Sequence, residues 1–171
     1  MTLLFNEENK AKIAKLLTCY PNKMAACLPV LYLAQEQFGH LSREAQDLVA
    51  ETLDLPPTHV HGVATFYTMY NKEKVGIYHL QICTNISCLL CNSYDVLQRM
   101  EKKLGIKVGQ TTPDGHFTLN EVECLASCNG APALQINDEI HNLVSPDKVE
   151  ELIDKLRAKI TEKAPAALVS V

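Results

Sequence analysis

The chain has 171 residues, of which 47% are hydrophobic and 21% charged, and its formal net charge is −4. This composition can bury a core, which excludes global disorder, and the lack of a dense basic stripe argues against nucleic acid as the main partner. The longest apolar run, residues 24–34, contains Pro29 and is shorter than the roughly 20 residues of a membrane helix, so direct membrane insertion is not expected. The N-terminus lacks the basic and apolar regions of a signal peptide.

The first 70 residues are predicted to form helices separated by prolines and a glycine. Their apolar residues recur at three- and four-residue spacing, as in helices that bury one face. The capping and breaking residues that divide this stretch are Asn6, Pro21, Pro29, Gly39, Ser42, Pro56 and Pro57. We therefore expect a helical bundle over residues 1–71 as the first domain.

From Val75 onward the pattern changes to alternating strands and helices. The predicted elements are a strand (75–82), a helix (93–104), a short strand (107–108), a strand (116–123), a hairpin (133–136 and 139–144) and a helix (146–160). The order of the main elements, β-α-β-β-α, is typical of a small thioredoxin-like layer. The predicted fold class is therefore α/β: an N-terminal helical segment, then a thioredoxin-like domain over residues 72–160, with residues 161–171 as a flexible tail.

Four cysteines lie directly after the two main predicted strands. Cys83 and Cys88 follow the first strand, and Cys124 and Cys128 follow the second. Two thiol pairs delivered by the ends of two strands can converge on one point. Thiolate sulfur selects zinc, copper(I) or iron–sulfur clusters, and a [2Fe–2S] core takes two thiolates at each iron. We interpret the four cysteines as the ligands of one [2Fe–2S] cluster.

Three other interpretations of these cysteines stay open. Structural zinc is one, although zinc pairs usually occur as closely spaced knuckles. A thiol oxidoreductase using Cys88 and Cys91 is another, but it leaves Cys83, Cys124 and Cys128 without a role. A plant-type ferredoxin arrangement would use the spacing of Cys83, Cys88 and Cys91 with one later cysteine, and it leaves the other member of the last pair unexplained.

The remaining cysteines and the histidines are not expected to bind metal. Cys19, Cys27 and Cys91 are interpreted as small buried apolar side chains. The six histidines form no convincing ligand set, and no general acid, base or nucleophile stands out. Seven clustered cysteines suit a reducing compartment better than a disulfide framework, so a cytoplasmic location is expected.

Four motifs occur together in this chain: Gln35-Glu-Gln-Phe-Gly-His-Leu41, Gly62-Val-Ala-Thr-Phe-Tyr67, Cys83-x₄-Cys88, and Glu123-Cys-Leu-Ala-Ser-Cys-Asn-Gly-Ala-Pro132. Through them, residues 10–157 resemble the thioredoxin-like [2Fe–2S] ferredoxin family of complex I components. This family comprises the E-type subunit of bacterial NADH–quinone oxidoreductase and the mitochondrial 24-kilodalton-type chain. The resemblance implies a [2Fe–2S] ferredoxin domain in the C-terminal part of the chain.

The resemblance also implies specific ligands. They would be Cys83, Cys88, Cys124 and Cys128, holding one [2Fe–2S] cluster per chain. Cys91 would lie outside the ligand set, and it departs from the family pattern, which does not require a cysteine there. No catalytic residue is implied, because an electron carrier needs no substrate site of its own.

As a member of this family, the chain would be a subunit of an NADH:quinone oxidoreductase, docked on the flavoprotein subunit that binds NADH and FMN. Its cluster would exchange one electron with FMN. The helical bundle would dock on the flavoprotein and on the neighbouring iron–sulfur subunit. The chain would be peripheral, on the cytoplasmic side of the inner membrane. An equivalent subunit of an NAD-linked hydrogenase or formate dehydrogenase is the alternative.

Overall fold

The computed structural model describes residues 3–163 of the chain. These residues divide between Lys74 and Val75 into two compact units, each with its own hydrophobic core. The predicted flexible tail, residues 161–171, lies outside the described residues except for its first three positions. Within residues 3–163, every helix is too short or too polar to cross a lipid bilayer.

Residues 3–74 contain four helices, so the predicted N-terminal helical segment is confirmed. The side chain of Asn6 caps the first helix by accepting a hydrogen bond from the backbone N–H of Asn9. Gly39 ends the second helix with φ of +80°, a conformation that glycine adopts without strain. The helices are α1 (Glu7–Cys19), α2 (Cys27–Phe38), α3 (Arg43–Leu53) and α4 (Pro57–Phe66).

Residues 75–163 form a five-stranded sheet with the order β2-β3-β1-β4-β5. The two central strands, β1 and β3, are parallel, and Cys83 on β1 is opposite Val122 on β3. The other neighbours along the sheet are antiparallel. The strands are β1 (Tyr78–Cys83), β2 (Gln110–Thr111), β3 (Phe117–Val122), β4 (Leu134–Ile136) and β5 (Glu139–His141).

The hydrophobic core of this unit joins the sheet to two long helices. Leu80 and Leu119 on the central strands pack in one cluster with Met100 and Ile153 on the helices. The helices of this unit are α5 (Ile86–Leu90), α6 (Ser93–Leu104) and α7 (Val149–Lys163), and single 3₁₀ turns span Cys128–Gly130 and Pro146–Lys148. The α/β class and the thioredoxin-like layout are therefore confirmed.

The structure corrects the predicted strand at 107–108. The backbone N–H of Gln110 bonds to the carbonyl of Lys107, and Gly109 has φ of +81°. Residues 107–110 therefore form a turn, and the short strand β2 follows it at Gln110–Thr111.

Two other boundaries also differ from the prediction. The second hairpin strand ends at His141 instead of residue 144, because Leu143 adopts φ of +54° and its backbone N–H bonds to the carbonyl of Gly130. Helix α7 continues to Lys163, so residues 161–163 are helical and not part of a tail.

Candidate metal centre

The carboxyl ends of β1 and β3 lie side by side because the two strands are parallel neighbours. Cys83 is the last residue of β1, and Cys124 comes two residues after the end of β3. The Cys83 thiol donates a hydrogen bond to the carbonyl of Glu123 (Sγ···O 3.6 Å), and the backbone N–H of Thr84 bonds to the carbonyl of Val122 at 3.1 Å. The structure thus brings the beginnings of both cysteine loops together.

The first cysteine loop contains a short helix that the sequence analysis missed. Asn85 accepts a hydrogen bond from the backbone N–H of Ile86 and precedes α5, which carries Cys88. The signal that could have revealed α5 is Asn85 itself, a residue type preferred at the start of helices. A helix of five residues is too short to show a helical pattern of apolar residues.

Two of the four predicted ligands pack together in the structure. Cys83 and Cys88 are buried and pack against Ala133. Burial raises the pKa of the Cys88 thiol; a hydrogen bond with the backbone of Ala133 opposes this rise, and the thiols of Cys83 and Cys128 add to it. The backbone N–H of Cys83 bonds to the carbonyl of Ala133 at 3.0 Å. Leu125 of the second cysteine loop packs against the same cluster, so residues from both loops share one site.

The second cysteine loop lies at the surface of this unit. Cys124 and Cys128 are exposed. Ala126 adopts φ of +55°, and its backbone N–H donates a hydrogen bond to Cys124 Sγ at 3.3 Å. A backbone donor aimed at a cysteine sulfur is the interaction that stabilises an anionic iron–sulfur site.

Two hydrogen bonds join the second cysteine loop to the residues that directly follow the hairpin. Ser127 Oγ donates a hydrogen bond to Asn142 Oδ1 at 2.6 Å, and the backbone N–H of Leu143 bonds to the carbonyl of Gly130 at 2.7 Å. A Cβ at position 130 would overlap the side chain of Asn142, so this position requires glycine. Asn142 was not predicted from the sequence, because no local pattern links it to a loop that precedes it.

The three cysteines outside the predicted ligand set have different surroundings. Cys27 is buried, as predicted. The prediction was wrong for Cys19 and Cys91, which are exposed, because Cys19 ends α1 and Cys91 directly follows α5. Cys88 is only 2% exposed, which makes it poorly suited to be the attacking thiol of a Cys88/Cys91 redox pair, since such a thiol must be accessible.

The donor set fits a [2Fe–2S] cluster. Among residues 3–163, no three cysteine, histidine, aspartate or glutamate side chains are arranged around a single metal ion. A [2Fe–2S] core takes two thiolates at each of two irons. The two loops offer two cysteines each, all seven cysteines of the chain are free, and a backbone N–H already faces one sulfur.

The fold and this site define a thioredoxin-like α/β protein with a cysteine-lined edge at the tips of two parallel strands. A family model for the thioredoxin-like [2Fe-2S] ferredoxins matches residues 13–157. The chain belongs to this family, as the resemblance of its motifs predicted.

Similar proteins include subunits of NADH-quinone oxidoreductases. The chain is 40% identical over 169 residues to the NADH-quinone oxidoreductase E 2 subunit of Rhizobium meliloti (strain 1021), covering 96% of this chain and 98% of the relative. It is 44% identical over 156 residues to the NADH-quinone oxidoreductase E subunit of Rickettsia conorii (strain ATCC VR-613 / Malish 7), covering 90% and 93%.

Among solved structures, an NAD+-reducing [NiFe]-hydrogenase in the air-oxidised state contains a similar fold. Its TM-score is 0.70 at 20% sequence identity, and the match covers 85% of this chain and 25% of the hydrogenase chain. At this identity the similarity concerns the fold alone.

Proposed function

We propose that this chain is the electron-carrying [2Fe–2S] subunit of the NADH-oxidising module of an NADH–quinone oxidoreductase. Its cluster ligands are Cys83, Cys88, Cys124 and Cys128. The observation that carries the proposal is the contact between the two strand tips, where the Cys83 thiol bonds to the carbonyl of Glu123. This contact joins the beginnings of the two loops that carry the cysteine pairs, which supports ligation by all four.

When bound, the cluster supplies a centre that accepts and returns one electron. The residues of the chain hold it asymmetrically. Cys83 and Cys88 are buried against Ala133, whereas Cys124 and Cys128 lie on the exposed loop. Burial of the first pair keeps water from two ligands, and exposure of the second pair leaves an edge that a redox partner can approach.

The surface next to the site suits a protein partner. Ile86 and Leu90 on α5 are 71% and 78% exposed, and Leu143 beside the second loop is 67% exposed. Large apolar side chains exposed beside a functional site are the kind that a protein partner covers. In this proposal they face the flavoprotein subunit, whose FMN receives a hydride from NADH and exchanges single electrons with this chain.

The position of the chain in the complex is part of the same proposal. The helical unit docks on the flavoprotein and on the neighbouring iron–sulfur subunit. The chain is a peripheral subunit, held by these partners on the cytoplasmic side of the inner membrane. The two relatives described above support a parent complex of the NADH–quinone oxidoreductase type, because both align over 90% or more of this chain and of their own length. They favour this complex over an NAD-linked hydrogenase or a formate dehydrogenase.

Reconstitution with the flavoprotein tests this function. Anaerobic protein is mixed with NADH in the presence or absence of the FMN-loaded flavoprotein, and bleaching of the visible absorption of the cluster is recorded. We expect bleaching only when the flavoprotein is present. The Cys124→Ser variant serves as the control without an intact cluster. A cluster that stays oxidised in the presence of reduced flavoprotein would contradict the proposal.

A further inference from the structure

Glu121 lies at the edge of the sheet that carries the cysteine loops. It is the fifth residue of β3 and is opposite Ile82, the residue before Cys83. A single oxygen of its carboxylate, Oε1, accepts two hydrogen bonds: one from Thr84 Oγ1 at 2.7 Å and one from the Tyr94 hydroxyl at 3.1 Å. The cluster ligation proposed above does not use this carboxylate.

The two donors flank the first cysteine loop. Thr84 directly follows Cys83, and Tyr94 lies in the first turn of α6, which begins where the loop ends. Cys88 lies between these two anchor points. The carboxylate of Glu121 therefore ties both ends of the segment that carries Cys88 to β3, the strand that leads into the second cysteine loop.

The hydroxyl of Tyr94 keeps its proton, so it can donate a hydrogen bond to this carboxylate. The hydrogen bond to Glu121 raises the pKa of Tyr94, and the negative charges of Glu121 and Glu123 raise it further. The phenol is consequently protonated at neutral pH. Hydrogen bonds to a charged acceptor are stronger than those between neutral groups, which favours a fixed position for the carboxylate.

The carboxylate of Glu121 is hydrogen-bonded by two neutral hydroxyl groups. None of the ion pairs formed by residues 3–163 includes Glu121. Oε1 of Glu121 lies 2.7 Å from the hydroxyl oxygen of Thr84, the residue that follows Cys83 in the chain. In physiological salt, the interaction between two charges is largely screened only when they are more than about 8–10 Å apart. The charge of Glu121 therefore acts on the adjoining cysteine loop.

We propose that Glu121 is a positioning residue for the metal centre, which anchors the first cysteine loop through Thr84 and Tyr94 and lowers the reduction potential of the site through its negative charge. The inference rests on the proposed [2Fe–2S] function of the four cysteines. Its physical basis is that a nearby negative charge disfavours the addition of an electron, and that cluster potentials depend on net charge and hydrogen bonding.

Three substitutions separate the charge from the anchor. Glu121→Gln keeps an oxygen that can accept both hydrogen bonds but removes the charge. Glu121→Ala removes the charge and the acceptor. Thr84→Val removes one donor and keeps the charge, and it tests the anchor independently if Glu121→Ala does not fold.

Glu139→Gln is the matched control. It removes one exposed carboxylate from the same sheet, but Glu139 directly follows the turn of the β4–β5 hairpin. Asn137 in that turn bonds to the carbonyls of Ile77 and His79, at the end of β1 opposite to Cys83. The charge of Glu139 therefore lies toward the end of the sheet opposite to the cysteine loops.

The experiment is an EPR-monitored redox titration of the full chain, purified anaerobically. We expect a higher midpoint potential in Glu121→Gln with the wild-type EPR line shape, and an unchanged potential in Glu139→Gln. In Glu121→Ala and Thr84→Val we expect an altered line shape and several-fold faster loss of iron to a chelator.

A potential in Glu121→Gln that equals that of the wild type or shifts no more than in Glu139→Gln would overturn the role of the charge. A wild-type line shape and chelation rate in Thr84→Val would overturn the anchor. A wild-type protein with no EPR signal in either redox state would overturn the proposed function itself, and this inference with it.

Discussion

The thiol of Cys83 donates a hydrogen bond to the backbone carbonyl of Glu123, the residue that precedes Cys124 (Sγ···O 3.6 Å). This bond joins the last residue of β1 to the first residue after β3. It exists because parallel neighbouring strands end at the same edge of a sheet. The two halves of the proposed metal centre are thus brought together by the fold of the polypeptide itself.

Replacing single cysteines tests the proposed ligand set. We expect Cys124→Ser to lose most of its iron and visible absorption, because it removes one of four thiolates. Cys91→Ser, the matched control in the first loop, should keep both, since Cys91 is exposed at the end of α5. Iron content per chain and absorption spectra measure the difference. Cluster loss in Cys91→Ser with retention in Cys124→Ser would instead favour ligation by Cys91.

A substitution at Gly130 tests the support of the second cysteine loop. A Cβ at this position would overlap the side chain of Asn142, so we expect Gly130→Ala to lower the free energy of unfolding by about 1–3 kcal/mol, as overpacking usually does. The displaced loop should also bind iron less tightly. Urea denaturation and iron content are the measurements.

Gly62→Ala is the control for this prediction. A Cβ at Gly62 meets no atom within 4 Å, and Gly62 lies within helix α4. Because alanine is favoured over glycine inside helices by about 0.5–1 kcal/mol, this variant should be as stable as the wild type or more stable. Equal stability of the two glycine variants would show that the contact with Asn142 does not constrain the loop.

The sequence was sufficient for the parts of the fold that depend on local patterns. Helix α6 begins at Ser93 and ends at Leu104 as predicted, and β1 and β3 were located within a few residues of their observed ends. Apolar spacing and the position of cysteines after strands are local signals. They remain visible in a single sequence because each depends on residues close together in the chain.

The parts that the sequence did not predict depend on contacts between distant residues. Asn142 bonds to Ser127, fifteen residues earlier, and the next residue, Leu143, adopts a left-handed conformation; no local motif indicates either feature. Glu121 is one polar residue in an alternating strand, and only the folded structure places it against Thr84 and Tyr94. Tertiary contacts of this kind leave no periodic signal in a sequence.

Core substitutions test whether the two units unfold independently. Leu31 and Leu119 are both fully buried, Leu31 in the helical unit and Leu119 in the sheet unit. We expect each Leu→Ala variant to lose about 2–5 kcal/mol of unfolding free energy in its own unit. Leu31→Ala should retain the wild-type cluster spectrum, whereas Leu119→Ala should lose its cluster at lower denaturant. One unfolding transition shifted equally by both substitutions would contradict a division into independent domains.

Buried His79 gives the sheet unit a predicted dependence on pH. Burial lowers the pKa of His79 below its ordinary value of 6.5, and its Nε2 lies 2.8 Å from Asn120 Nδ2. The unfolded chain therefore binds a proton at a higher pH than the folded chain. Stability is fully present above about pH 6.5 and declines as the pH falls toward the lowered pKa of the folded state.

Denaturation of the wild type and of His79→Gln at two pH values checks this dependence. Between about pH 7.5 and about pH 5.5, the wild type should lose on the order of 1 kcal/mol more unfolding free energy than the variant. Glutamine serves because its amide oxygen can accept the hydrogen bond from Asn120 and does not titrate. The same pH dependence in both proteins would show that His79 is not the group responsible.

We propose that four cysteines at two strand tips hold one [2Fe–2S] cluster. EPR spectroscopy of the anaerobically purified chain, before and after reduction by one electron, combined with iron and sulfide analysis, tests it most directly. We expect two irons and two sulfides per chain, no EPR signal when the protein is oxidised and an S = ½ signal when it is reduced. A colourless protein that contains zinc, or one whose four cysteines are joined in disulfides, would contradict it.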